Sequence, residues 1–160
     1  MPGWWKWKTR LTQDHLLLRV GSSPTPGTKK KKDNMNIDYY MSEAKKEALR
    51  AKITDWRIGA VMVRGGKIIG RGFNRYSAKS QMFAKKYNID IFSLHAEMAC
   101  IESCDNVENA ILFVSGIKKN GRRVFCRPCK HCMKIIKLLP IKAVYYETKN
   151  GVEAIFFERK

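Results

Sequence analysis

The chain carries His95-Ala96-Glu97 and, about 30 residues further on, Pro128-Cys129-Lys130-His131-Cys132. One imidazole and two thiolates can occupy three corners of a zinc tetrahedron. The fourth corner is then open to water, which separates a catalytic zinc from a closed structural one. Glu97 follows His95 by two residues, where a carboxylate can move protons beside such a water. A competing reading makes a local zinc knuckle from Cys126, Cys129, His131 and Cys132. It leaves His-Ala-Glu without a role and crowds all its ligands into seven residues. A redox dithiol would need a thioredoxin-like surround, and none is present. Alone, Glu97 would be an acid compensating a helix dipole. Its offset from His95 and the downstream Cys-x-x-Cys favour the acid–base role.

These groups need elements to bring them together. Asp38 to Lys52 holds helix-favouring residues with no Pro or Gly. Arg57–Arg64 and Lys67–Phe73 are β-rich runs split by Gly65-Gly66, a tight hairpin signal. Residues 74–93 read as a long connection with a helical turn around Gln81 to Lys86. Ala96 to Cys104 is expected as a helix, placing His95 and Glu97 at its N-terminus, and Ala110 to Val114 as a strand. Gly116 to Arg127 reads as a basic loop, and Pro128 suits the first turn of a helix running to about Leu138. Cys129 and Cys132 then share one side of that helix start. Ile141 to Glu147 and Val152 to Phe157 are expected strands. Lys149-Asn150-Gly151 between them leaves no room for a crossover, so the last strand is expected to run antiparallel. The alternation predicts an α/β sandwich around a mixed sheet.

Composition sets the outer bounds. With 160 residues and 44% hydrophobic content, the chain suits one domain with a real core. No apolar run reaches the ~18–20 residues that cross a bilayer, so no membrane role is expected. An odd five cysteines, three of them within seven positions, fit a reducing compartment and a metal better than disulfides. The net charge of +18 predicts polyanionic partners. Residues 1–34 read as a disordered basic arm: Trp4, Trp5 and Trp7 alternate with lysines, a Ser/Pro/Gly-rich stretch follows, and Lys29–Lys32 is a run of like charge. Residues 35–160 form the domain, and from Met35 onward 24 Lys and Arg still face 12 Asp and Glu. A cytoplasmic location is expected, with Lys29–Lys32 as a possible nuclear address.

The H-x-E…P-C-x-x-C pair resembles the signature of the cytidine deaminase superfamily, whose branches include deoxycytidylate, cytidine and transfer-RNA adenosine deaminases. Gly59-Ala60-Val61, Gly72-Phe73-Asn74-Arg75 and Ile141 to Tyr146 are similar to the family's strand motifs, and the likeness covers roughly residues 38–146. It implies a three-layer α-β-α sandwich with a central five-stranded mixed sheet, and Zn²⁺ held by His95, Cys129 and Cys132. It implies that Glu97 shuttles protons from water to the base and then to departing ammonia. It further implies that the Cys129 backbone N–H assists at the oxygen of the tetrahedral intermediate. Asn74, Arg75 and Ala60 would contact the substrate, Ala60 as pocket floor; Asn74 also reads as an ordinary turn asparagine. Self-association is implied by the resemblance alone.

The substrate is less sharply written. Lys79, Lys85 and Lys86 stand against Asp90 in residues 76–93, and Lys118, Lys119, Arg122, Arg123 and Arg127 stand against no acid in 116–127. Basic loops beside zinc favour a phosphorylated substrate or a strand of nucleic acid; a generally solvated basic surface is the plainer account. Phe83, Tyr87 and Phe92 can stack on bases or pin the loop to the core. Asn74-Arg75 resembles the transfer-RNA adenosine branch, whereas an antiparallel last strand resembles the free-nucleoside branch. Three functions follow: hydrolytic deamination of cytosine in a nucleotide or nucleoside, deamination of cytosine or adenine in a polynucleotide, and a non-catalytic zinc-stabilised nucleic-acid-binding module. An intact Glu97 argues against the third.

Overall fold

The computed structural model describes residues 17–21, 35–52, 55–89, 91 and 93–158. The tryptophans of the arm, Lys29–Lys32, Asp90 and Phe92 lie outside them. The elements run β1 (Leu17–Gly21), α1 (Ile37–Arg50), β2 (Trp56–Arg64), β3 (Lys67–Phe73), α2 (Ala78–Tyr87), α3 (Ala96–Glu102), β4 (Ile111–Lys118), α4 (Lys130–Leu138), β5 (Ala143–Thr148) and β6 (Gly151–Glu158). The sheet order is β1-β6-β5-β4-β2-β3. β4 and β5 are parallel, and every other neighbouring pair is antiparallel. The five strands expected from the sequence thus form a mixed sheet, and β6 returns antiparallel on β5 through a turn that closes at Thr148 and Gly151.

α1 starts where the Asn36 side chain accepts the N–H of Tyr39 at 3.0 Å. It buries Tyr40, Met41, Ala44 and Ala48, spaced by three and four, against one sheet face. There Tyr40, Val61, Val63 and Phe113 form the smaller core. α2, α3 and α4 cover the other face, where Met62, Leu112, Val114, Val144, Met98, Ile135 and Ile136 build the larger one. Helices therefore lie on both faces, making three layers. Close approach is written in glycines. A Cβ on Gly59 would stand 2.1 Å from the Ala44 carbonyl oxygen of α1, and one on Gly72 would stand 2.3 Å from the Cys100 nitrogen of α3. No side chain but hydrogen lets β2 and β3 meet those helices.

Some elements differ from expectation. The Gln81 to Lys86 turn is a ten-residue helix, because the Ser77 hydroxyl accepts the Lys79 N–H and Asn88, at φ 48, closes its end in the left-handed region. β4 runs on to Lys118 because its C-terminal half pairs with Trp56 to Gly59. α3 stops at Glu102, two residues early, where Ser103 turns its hydroxyl onto the Cys100 carbonyl. β1 lies within the segment read as an arm, and its ladder is with β6 at the other end of the chain. No local period announces such a pairing.

Candidate active site

The site forms where α3 and α4 begin, beyond the carboxyl ends of the parallel strands β4 and β5. His95 is the N-cap of α3, and Cys129 is the N-cap of α4. Pro128 precedes that cap, and Cys129 itself is extended at φ −66 and ψ 168, so the expected helix begins at Lys130 instead. His95 Nδ1 lies 3.3 Å from Cys132 Sγ and 3.5 Å from Cys129 Sγ. Among the described residues these side chains form the one cluster able to hold a metal. A tetrahedral ion with bonds of ~2.0–2.3 Å needs ligand atoms roughly 3.5 Å apart, so the donor set fits zinc. Cys126 and His131 stay outside the cluster, which removes the knuckle reading. The Cys126 thiol donates to the Val124 carbonyl at 3.1 Å and is buried.

The electrostatics suit a cation. The Cys129 thiol is held down at about 3, first by a hydrogen bond from Cys132 and then by one from His95, despite burial. Cys132 is pushed up by its hydrogen bond with Cys129 and by burial. His95 is raised chiefly by its bond to Cys129. Both helix N-termini add positive potential. Glu97, in the first turn of α3, is only 6% exposed. Burial raises its carboxyl above the ordinary value, with partial relief from a backbone N–H and His95. A surface acid serving a helix dipole would not be buried in this way.

The remaining expected residues fall on both sides of the line. Ala60 is fully buried opposite Gly72, on the sheet face that packs α3. Asn74 uses its amide inside the fold: Oδ1 accepts the Ile58 N–H at 2.9 Å and Nδ2 donates to the Trp56 carbonyl at 2.8 Å. Arg75 exchanges backbone hydrogen bonds with Leu94, at 3.0 and 2.9 Å, and so fixes the approach to His95. Its guanidinium stacks on the Phe73 ring, as that of Arg50 does. Phe83 is buried in the larger core, which pins α2 there, and it stacks on Tyr87 of the same helix at 5.9 Å. Sequence reasoning missed Glu147. Its carboxylate accepts the Ser115 hydroxyl at 2.7 Å and lies 3.7 Å from Arg123, while its carbonyl accepts the Cys126 N–H at 2.9 Å. It thereby ties down the segment that delivers Cys129. No residue pattern near position 147 signals that tie.

A mixed α/β sandwich with a His-Cys-Cys metal site at paired helix starts and a buried carboxylate beside it defines a zinc-binding domain of the deaminase type. The chain belongs to the family described as the cytidine and deoxycytidylate deaminase zinc-binding region, whose profile matches residues 34–148. It is 30% identical over 129 residues to a tRNA-specific adenosine deaminase of Streptococcus pyogenes serotype M1, covering 74% of this chain and 64% of that protein. It is 29% identical over 115 residues to ComE operon protein 2 of Bacillus subtilis, covering 68% and 57%. The chain thus spans less than two thirds of the length of these curated relatives. The crystal structure of a dCMP deaminase from cyanophage S-TIM5 shares the fold, with a TM-score of 0.51, 22% identity, and coverage of 69% of this chain and 81% of that one. Among the described residues no helix is long and apolar enough to cross a membrane.

Proposed function

We propose that the chain is a zinc-dependent hydrolase that removes the exocyclic amine of cytosine in a nucleotide or nucleoside. The carrying observation is the buried Glu97 carboxyl in the same helical turn as the metal ligand His95. Zinc, when bound by His95, Cys129 and Cys132, supplies an acidified water near neutral pH. Glu97 does the proton work. Its carboxylate takes a proton from the attacking water and places it on the base ring nitrogen, then passes one to the leaving amine. A C–O bond forms, the C–N bond breaks, ammonia leaves and the base keeps a carbonyl. The Cys129 backbone N–H, at the positive end of α4, donates to the oxygen that becomes negative on the way. Ala60 would supply a small floor and Arg75 the rim, whereas the Asn74 amide is spent on Ile58 and Trp56.

The antiparallel β6 supports this nucleotide or nucleoside reading, through its resemblance to the free-nucleoside branch. A second reading, adenine or cytosine within a polynucleotide such as transfer RNA, is favoured by the name of the Streptococcus relative. The test is a Glu97→Gln variant assayed by mass spectrometry on cytidine, deoxycytidylate, single-stranded DNA and transfer RNA. Deamination changes a base by about one mass unit. The parent protein converts one of these. The variant keeps its zinc and falls by about 10²–10⁴-fold, the usual worth of a positioned acid–base group. Undiminished turnover in the variant would remove Glu97 from the reaction.

A further inference from the structure

We infer that the outer face of α4, together with Arg127 beside it, is a docking track for the sugar-phosphate backbone of a polynucleotide. The inference concerns binding and goes beyond the deaminase reading, so each can fail without the other.

The first observation is charge segregation. Between Glu108 and Glu147 the chain has nine Lys and Arg and no Asp or Glu. That stretch contains β4, α4 and the ligands Cys129 and Cys132. Glu97, beside the ligands, and Glu147, against Ser115 and Arg123, do reach it, but both are buried. Asp38, Glu43 and Glu47 sit on α1, across the sheet, and Glu102, Asp105 and Glu108 follow the far end of α3. A surface basic merely for solubility would mix both signs.

The second observation is geometry. Lys130, Lys134 and Lys137 are exposed and spaced i, i+4, i+7, so they share one narrow stripe. Its ends lie about 10 Å apart along the helix. The stripe begins one residue after a metal ligand, so a strand lying on it passes the site. None of these lysines, nor Arg127, has a carboxylate partner among the described residues. Lys134 donates to the Tyr87 carbonyl at 3.0 Å and keeps other N–H donors for solvent or ligand.

The third is a local cost. The first turn of α4 has no acid and instead carries Lys130. A cation at that end opposes the helix dipole. An anion lying across the turn relieves the conflict. A membrane surface is the weaker occupant, because α4 buries Ile135 and Ile136 in the core and, of its large apolar side chains, exposes only Leu138, too little for insertion.

The experiment uses the full zinc-loaded chain and a fluorescent single-stranded oligonucleotide of ~20 nucleotides, followed by anisotropy from low to physiological salt. Lys134→Gln/Lys137→Gln is compared with Lys67→Gln/Lys142→Gln, which removes the same charge at the opposite end of the sheet. Each lost phosphate contact flattens the log–log salt dependence by about 0.7 for a single strand. The α4 pair is therefore expected to flatten it by about 1.4 and to raise Kd roughly tenfold near physiological salt. Lys137→Gln alone, which spares the Lys134 bond to Tyr87, is expected to give half the change in slope. Equal slopes for the two double variants would overturn the track. Equal or stronger α4-dependent binding to phosphatidylserine vesicles would overturn the choice of partner. Zinc content and turnover on a free nucleoside, measured on the same samples, report separately on the deaminase reading.

Discussion

Replacing Gly72 with alanine forces a methyl group into the backbone of α3. The new Cβ would stand 2.3 Å from the Cys100 nitrogen, 2.6 Å from the Ala96 carbonyl oxygen and 2.7 Å from the Ala99 carbonyl carbon. All of these are main-chain atoms, so no side chain can swing aside. Restoring ordinary contact requires β3 and α3 to part by about 1 Å. Overpacking of this kind costs typically 1–3 kcal/mol, and the upper end applies when helix and strand must move as bodies. A loss of ~3 kcal/mol lowers Tm by on the order of 10 °C. Geometry suffers as well, because α3 carries His95 and Glu97 in its first turn. A displacement of ~1 Å at reacting groups costs about 10²-fold in rate. Gly59→Ala is the matched control. Its Cβ meets α1 backbone at 2.1 and 2.2 Å on the opposite face, where no site residue rides. Calorimetry and turnover per folded, zinc-loaded molecule separate the two effects. Both variants are expected to lose stability, and only Gly72→Ala to lose the rate as well. Equal residual turnover in the two would refute the claim that the β3–α3 contact sets the site.

Metal specificity and pH offer further checks. Cys126→Ala is expected to keep its full zinc content by elemental analysis and to lose about 1 kcal/mol from a small buried gap, whereas Cys132→Ala loses the metal; matching zinc loss in both would restore Cys126 as a ligand. Glu43 is held below its ordinary 4.5 by hydrogen bonds first from Lys46 and then from Arg71. That contribution is present above the unfolded-state pKa and is lost as pH falls through the lower folded value. Glu43→Gln is therefore expected to be less stable than the parent near neutrality and to converge with it in acid; a constant difference at all pH values would show that the pair carries no such linkage.

The clustering of His95, Cys129 and Cys132 is legible without the fold, because His-x-Glu and Cys-x-x-Cys are rare chemistry at fixed spacing. β3 was legible to the residue, since Gly65-Gly66 marks its start and turn residues mark its end. The direction of β6 followed from a loop too short for any crossover. Other features depend on partners distant in sequence. The β4 extension exists because Trp56 and Arg57 pair with it. The Glu147 tie joins β5 to the segment before Cys129, and the use of the Asn74 amide depends on the end of β2 lying alongside. Local pattern carries no trace of such contacts. The full length of α2 is not legible in the sequence, because its cap is a lone Ser77 hydroxyl in a lysine-rich stretch with a weak apolar stripe.

The two helix starts have a consequence for how the molecule endures. His95 makes no side-chain capping bond, and Cys129 offers its first turn only sulfur at 3.5 Å. α3 and α4 have seven and nine residues, too few to persist without outside support. An ion gripped at that junction does the fastening that capping oxygens do elsewhere. Its binding free energy is therefore coupled to the order of both helices, and each tenfold rise in free zinc above Kd adds about 1.4 kcal/mol to resistance against unfolding. Starvation for the metal would abolish chemistry and loosen the scaffold in one event, leaving a protein that is inactive and more open to proteolysis.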